Sequence, residues 1–437
     1  MKIKTQSKLK ASKGLFVIPV FEEDLKKLPD RYPTVVKNFL KERVKEKDFE
    51  AKKKQTLETY LNSKELPAKM LLIGCAKRAK CDAAFVRELG GKVGRAAAKA
   101  KELTILLGDE EYVEEFLEGI LMTQYRFDQF RSKKKSESKL EQINLVLDKK
   151  SKAYEAAVEK ATLIVHSVNF VKDLVNSPAN FISPEYMAAQ AKRIAKENRY
   201  KFTVLGNKDL KKMGAGGILA VNNGSDHEAN LIVLQYDGGA RKEKPIVIVG
   251  KGVLFDTGGY NLKPSGGIET MHQDMSGAAS VLGVFEVLKK LNIKRNVVGI
   301  CPVVANMINE KAYRPSDILT MLNGKTVEIT NTDAEGRLIL ADALTYATKL
   351  SPESIITVAT LTGAAAVALG DRYCAILGNN KELTDNLQKA GDEVDELAWP
   401  LPIHEDYRKK MDSDIADYKN YDLGSGRFGG TAKAAAF

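Results

Sequence analysis

Residues 246–279 read IVIVGKGVLFDTGGYNLKPSGGIETMHQDMSGAA. The first four are apolar and β-branched with no polar alternation, the pattern of a strand covered on both faces. The run stops at Gly250, and just past it Lys251, Asp256 and Lys263 stand among many glycines. The stretch closes on Asp274, directly before the small residues that open a helix expected over Ser276–Leu291. A buried strand, a glycine-rich polar turn and a helix form the repeating unit of an α/β fold, and ligands in such folds gather at the carboxyl ends of the strands.

The same alternation continues on either side. Candidate strands are Phe202–Leu205, Asn230–Gln235, Asn296–Ile300, Thr326–Thr330 and Ile355–Ala359, with a helix expected over Glu335–Leu350. Ser183 followed by Pro184 predicts an N-cap and a helix running to about Asn198. A long helical pattern over Ser151–Val175 precedes it and ends at NSPANFISPEY, where Pro178 and Pro184 break the helix. The first third carries short buried strands at Leu15–Val20, Met70–Ile73, Leu103–Leu107 and Gln142–Asp148. Between them lie a helix with a small-residue face (Asp82–Lys101), an acidic helix near Glu110–Phe130, and a charged loop, RSKKKSESKL, at 131–140. The expected fold is α/β: a smaller N-terminal α/β domain over 1–150, a connecting helix and junction over 151–182, and a larger α/β domain over 183–437 with a largely parallel central sheet covered by helices.

Composition agrees with two domains: 437 residues, 44% hydrophobic and 29% charged. No apolar stretch is long enough to span a membrane. The basic start, MKIKTQSKLKASKG, leads only into the short run Leu15 to Val20, too short for a secretory leader, so a cytoplasmic protein with no membrane partner is expected. Cys75, Cys81, Cys301 and Cys374 are scattered and match neither a zinc cluster nor a disulfide framework. Residues 1–150 hold 34 Lys+Arg and 23 Asp+Glu, and the remainder holds 34 of each, so the whole net charge of +11 sits in the first third.

A second polar strand end reads EITNTDAEGRLILADAL, residues 328–344, with Asp333, Glu335 and Arg337 between a strand and a helix. In extended backbone, residues two apart point the same way, so Asp333 and Glu335 could aim at one point. With Asp256 and Asp274 they would gather four carboxylates, prohibitive in a buried site unless protonated or neutralised by cations. Two divalent ions sharing bridging carboxylates would supply that charge and form a hydrolytic centre. The four histidines, His166, His227, His272 and His404, form no HExxH or HxH pair, so an oxygen-rich site suited to Mn, Mg or Zn is expected. Taken singly, each residue has a plainer reading: a carboxylate before a helix is often a cap, and a lysine is often a solvated charge. Specificity lies in the combination.

NTDAEGRL at 331–338 resembles the signature of the leucine (cytosol) aminopeptidases. Residues 250–279 are similar to that family's other metal-binding stretch, VKDLVNSPANFISPEYMA (171–188) resembles its domain junction, and TLTGA (360–364) and SDIADYKN (413–420) also fit. The resemblance covers about residue 165 to the end. It implies that 183–437 is a catalytic metallopeptidase domain, removing N-terminal residues, preferably apolar ones such as leucine, by a water or hydroxide bridging two divalent ions. Mn or Zn would be used, with Mg or Co as further candidates. The family ligands fall on Lys251, Asp256, Asp274, Asp333 and Glu335. A tight site would use Lys251, Asp256, Asp274 and Glu335. A looser site would use Asp256, Asp333, Glu335 and the carbonyl of Asp333. Lys263 would polarise the scissile carbonyl, Arg337 would hold a bicarbonate acting as general base, and Met271, Asn331, Thr360, Leu361 and Gly363 would line the substrate cleft. The resemblance also implies a homo-hexamer, a dimer of trimers.

The sequence departs from the pattern at His272, where the family usually has Lys, and at Phe437, beyond which the family continues through a His-x-Asp-Ile-Ala-Gly-like run; a closing tail is expected to be missing. Two alternatives belong to other classes. The basic excess in 1–150 suggests DNA binding, which some bacterial members of the family show, but the bases are interleaved with acids and no DNA-reading motif is present. A two-metal phosphoesterase would also use clustered carboxylates, but no P-loop is present and the two lysines match the peptidase pattern.

Overall fold

The computed structural model describes residues 1–10, 14–60, 69–107, 112–133, 138–148, 151–424 and 428–437. Residues 134–137 of the expected charged loop and Glu110 and Glu111 of the expected acidic helix lie outside them. The chain forms two compact units, residues 1–166 with 393–395, and residues 167–392 with 396–437.

The first unit is built on a six-stranded sheet. Its strands are β1 (Lys2–Gln6), β2 (Leu15–Val20), β3 (Thr56–Tyr60), β4 (Lys69–Gly74), β5 (Glu102–Leu106) and β6 (Gln142–Val146), in spatial order β1-β6-β5-β2-β4-β3. All neighbours are parallel except the edge strand β3. Central β2 is buried along its whole length because alternate residues serve two cores. Leu15 and Val17 pack with Phe85, Leu89 and Ile105, while Phe16, Ile18 and Val20 pack with Tyr32, Val36 and Leu40. Helices α1 (Ala83–Ala97) and α2 (Val113–Met122) cover the first face. The small-residue face expected of α1 has a concrete use: a Cβ on Gly90 would meet the Phe116 carbonyl oxygen at 2.1 Å, so only glycine permits this helix contact. The expectation missed β1 and β3. Their sequences, KIKTQ and TLETY, carry charge on one face, as edge strands do, and lack the apolar run that marked the inner strands.

Helix α3 (Lys152–Asn176) leads into the second unit, followed by α4 (Pro184–Asn198), whose N-terminus is capped by the Ser183 hydroxyl accepting from the Tyr186 amide. The central sheet here holds β7 (Lys201–Leu205), β8 (Asn230–Asp237), β9 (Ile246–Gly250), β10 (Gly252–Asp256), β11 (Asn296–Asn306) and β12 (Ser354–Val358). Strands β12, β9 and β11 are parallel, while β8 runs antiparallel to both β11 and β7. Along β11, Val298, Ile300 and Val304 face one core with helix α6 (Gly336–Thr348), whereas Val297, Cys301 and Val303 face another with α4 and α5 (Ser276–Val287). The sheet is thus mostly parallel and covered on both faces.

Two local expectations differ from the structure. The strand expected at Thr326–Thr330 is Thr326–Glu328, and it lies outside the central sheet, pairing with Ile318–Thr320 and Tyr418–Lys419 in a small three-stranded sheet. The strand expected at Asn296–Ile300 continues to Asn306 because it runs beside both β9 and β10. From Ile246 to Val253 those two strands keep one register against β11 across a break at Lys251, whose amide donates to the Val358 carbonyl and whose carbonyl accepts from the Ala278 amide. Pro302, which has no N–H to give a ladder, stands in β11 at the register position of that break.

Candidate metal centre

Three backbone features aim the polar side chains at one place. The first is the break at Lys251, which frees that residue from the strand pattern and buries its side chain. The second is the end of β10, where the register against β11 shifts between Val253 and Asp256. The third is the start of α5, pressed close against the strand ends; a Cβ on Gly277 would meet the Val358 carbonyl oxygen at 2.0 Å. That approach carries Asp274, just before the helix, to the same place as Lys251.

One carboxylate oxygen from each of Asp256, Asp333 and Glu335 lies within 4.8 Å of the others. Asp274 joins through Lys251, whose Nζ is 2.8 Å from Asp274 Oδ2 and 2.8 Å from Glu335 Oε1, and which also donates to the Thr360 carbonyl at 3.0 Å. Lys263 Nζ stands 2.9 Å from Asp256 Oδ2 and 2.5 Å from Asp333 Oδ1. Lys251, Asp256, Asp274 and Glu335 are buried, while Asp333 is partly exposed. Four carboxylates against two ammonium groups leave two negative charges in a mostly buried site.

The titrations reflect that crowding. Burial pushes the Asp274 carboxyl up to about 7; Lys251 opposes the rise, and Glu335 and Asp256 add to it. Burial raises Asp333 to about 6, against the hydrogen bond from Lys263. Burial alone would lower both lysines, but the carboxylates outweigh it and hold each ammonium above its ordinary value: Glu335 and Asp274 around Lys251, Asp256 and Asp333 around Lys263.

Three buried carboxylate oxygens, Asp274 Oδ2, Asp333 Oδ1 and Glu335 Oε1, meet no partner but an ammonium nitrogen. Their nearest cations are ammonium nitrogens at ion-pair distance. An oxygen-rich cluster of carboxylates in excess over its ammonium groups fits the coordination chemistry of divalent ions.

Arg337, in the first turn of α6, is buried, and its Nε has no hydrogen-bond partner. Its guanidinium lies over the Tyr421 ring at 6.0 Å, and burial lowers its pKa to about 10, against the pull of Glu335. A buried guanidinium with an unused donor suits a small anion.

The residues expected to line a cleft are placed in different ways. The Thr360 hydroxyl donates to Asp274 Oδ1 at 2.7 Å, and Asn331 Oδ1 accepts from the Asp333 amide at 2.7 Å. The Met271 carbonyl accepts from the Asp274 amide. Leu361 packs at the edge of the α6 core, and Gly363 is exposed at the start of the helix Gly363–Leu369. Asp333 and Glu335 converge by a route other than the extended one expected. Glu335 is helical, at φ −77° and ψ −36°, so a turn into α6 brings the two together.

Sequence reasoning passed over Asn306, Tyr313 and Thr332. Fully buried Asn306 donates from Nδ2 to Asp256 Oδ1 at 2.8 Å and to the Thr332 carbonyl at 3.0 Å, joining the two acidic segments. The Tyr313 hydroxyl reaches the same carbonyl at 2.7 Å, and the Thr332 hydroxyl donates to the Gly258 carbonyl at 2.6 Å. The available signal was Asn306 itself, a polar residue closing the apolar run VVGICPVVAN.

Comparison with known proteins meets this geometry. Residues 169–437 match the catalytic-domain model of the cytosol aminopeptidase family, and residues 17–134 match its N-terminal-domain model. The chain belongs to the cytosol aminopeptidase family. It is 42% identical over 418 residues to a probable cytosol aminopeptidase of Syntrophotalea carbinolica, covering 92% of this chain and 83% of the relative. A relative of the same description from Stutzerimonas stutzeri is 40% identical over 409 residues, covering 90% and 81%. Among solved structures, the bottromycin maturation enzyme BotP in complex with Mn is similar, with a TM-score of 0.82 and 27% identity over 97% of this chain and 88% of that one. Membership makes this a metal-dependent aminopeptidase, a metallo-exopeptidase. Among the described residues, no helix is long and apolar enough to cross a membrane.

Proposed function

We propose that this cytosol aminopeptidase family member removes apolar N-terminal residues, leucine foremost, from peptides using two divalent ions held by Lys251, Asp256, Asp274, Asp333 and Glu335. The observation carrying this reading is the convergence of Asp256, Asp333 and Glu335 within 4.8 Å, with Asp274 tied in through Lys251 and four carboxylates facing only two ammonium groups. Mn or Zn suits these donors, and Mg or Co falls within the same oxygen-ligand chemistry. When bound, the ions supply the positive charge that makes water nucleophilic near neutral pH and polarises a carbonyl.

The chain's own groups do the rest. Asp256 and Glu335 would be the carboxylates common to the two ion sites, and Lys251 would serve as a ligand in its neutral amine form. A substrate's free amino group would bind at the looser ion site, to which Asp333 belongs, and that contact would account for the demand for an N-terminus. The Lys263 ammonium donates to the scissile carbonyl oxygen as negative charge grows there. Arg337, through its unused donor, would hold a bicarbonate, which would supply the general base, since no His lies among the clustered residues. Assembly as a homo-hexamer, a dimer of trimers, belongs to the same reading.

The test is turnover of leucyl-p-nitroanilide by chelator-treated protein before and after Mn2+ or Zn2+ is restored, alongside metal analysis. Metal-restored turnover and two ions per chain are expected. Turnover of a phosphate ester but not of the anilide would overturn the reading.

A further inference from the structure

One motif noted in the sequence, SDIADYKN at 413–420, supplies neither a ligand nor a cleft residue to the reading above. Its last residue is Asn420, wholly buried in the second unit. Tyr418–Lys419 pair in parallel with Thr326–Glu328, and the Asn420 amide donates to the Glu328 carbonyl at 2.9 Å, extending that ladder. Beyond it the Asn420 side chain takes the place of a strand partner. Its Oδ1 accepts from the Thr330 amide at 2.9 Å, the Asn331 amide at 3.2 Å and the Thr330 hydroxyl at 3.3 Å. Its Nδ2 donates to the Asn331 carbonyl at 2.6 Å and to the Ala334 carbonyl at 3.3 Å. All of these contacts fall on residues 330–334, and they grip the backbone on both sides of Asp333.

We infer that Asn420 is a positioning residue, holding the segment that presents Asp333 and Glu335 at the spacing ion binding requires; this rests on those two carboxylates being ligands. The physical need is clear. Asp333, Glu335 and Asp256 repel one another at this distance, and residues 330–335 belong to no strand or helix, so side-chain hydrogen bonds have to hold them in place. A buried amide supplies both donor and acceptor to the backbone without adding charge. Asparagine does this where aspartate cannot, since a carboxylate keeps the Oδ1 acceptor but loses both Nδ2 donors and adds a further negative charge.

The experiment measures Mn2+ affinity by calorimetry and the Mn2+ electron paramagnetic resonance spectrum on the full chain, for wild type, Asn420→Asp and Asn420→Ala, with circular dichroism on each. The expected result is native dichroism, Mn2+ binding weakened on the order of 10- to 100-fold, and an altered resonance spectrum. A purely structural role would leave affinity and spectrum unchanged in variants that fold. Affinity within twofold of wild type in both variants overturns the proposal. Loss of native dichroism in both also overturns it, because Asn420 would then hold the fold and not the site. Glu335→Ala is measured alongside: if it too binds Mn2+ like wild type, the ligand reading has failed and takes the proposal with it. If only the Asn420 variants do, the proposal alone falls.

Discussion

Lys251 Nζ lies 2.8 Å from Glu335 Oε1, so a residue at the break between two strands meets the last residue before a distant helix. The same nitrogen is 2.8 Å from Asp274. Whatever ion this site holds must compete with, or displace the proton from, that one amine.

Asp274→Ala and Glu335→Ala each remove a buried carboxylate from the cluster. Both are expected to lose bound metal and to cut leucyl-anilide turnover by more than about 100-fold, since even outer-sphere partners of a metal site are worth 10- to 100-fold. Metal analysis and steady-state kinetics check this. Turnover close to wild type in either variant would contradict the ligand assignment.

Lys263→Ala separates chemistry from metal retention. With its ammonium 2.9 Å from Asp256 and partly open to solvent, Lys263 is expected to act on substrate. Its removal should lower kcat by roughly 100- to 1,000-fold, the range for losing one oxyanion donor, with metal content nearly intact. Metal depletion in this variant would show that Lys263 instead holds the site together.

Gly277→Ala tests how closely α5 must approach the sheet. The added Cβ would meet the Val358 carbonyl oxygen at 2.0 Å, a contact that backbone atoms cannot relieve by side-chain rotation. Overpacking of this kind costs about 1–3 kcal/mol. Urea denaturation should show that loss, and a variant as stable as wild type would mean α5 can retreat freely.

Asp342 provides a pH test away from the cluster. It is wholly buried in α6, accepts from the Ile218 amide at 3.0 Å and the Leu322 amide at 2.8 Å, and burial raises it from 3.8 to about 6 despite those bonds. Because the folded value lies above the unfolded one, its contribution is fully present below about pH 3.8 and is lost as pH rises through about 6. The loss amounts to about 3 kcal/mol at neutral pH. Denaturation of wild type and Asp342→Asn between pH 4 and 7 should show the difference moving against wild type as pH rises; a pH-independent difference would refute the shift.

Much was legible in the chain because burial leaves a mark on composition. Leu15–Val20 and Ile246–Val249 are inner strands covered on both faces, and an unbroken β-branched or apolar run is the direct consequence. Ser183-Pro184 marked the start of α4 because capping is a local interaction between neighbouring residues. Lys251, Asp256, Asp274, Asp333 and Glu335 stood out because charged residues at strand ends are costly without a purpose. Edge strands such as KIKTQ escaped, since half of each faces solvent and its polarity hides the alternation.

By itself, then, the sequence determined the α/β fold with its two parts and singled out candidate ligands, since period, capping and charge act over a few neighbouring positions. Only the tertiary structure decided that Glu335 reaches Asp333 through a helical turn, that Thr326–Glu328 leaves the central sheet, and that Asn306 and Asn420 hold the acidic segments. Those outcomes depend on hydrogen bonds between residues far apart in the chain, and such bonds leave no periodic trace in the residues that make them.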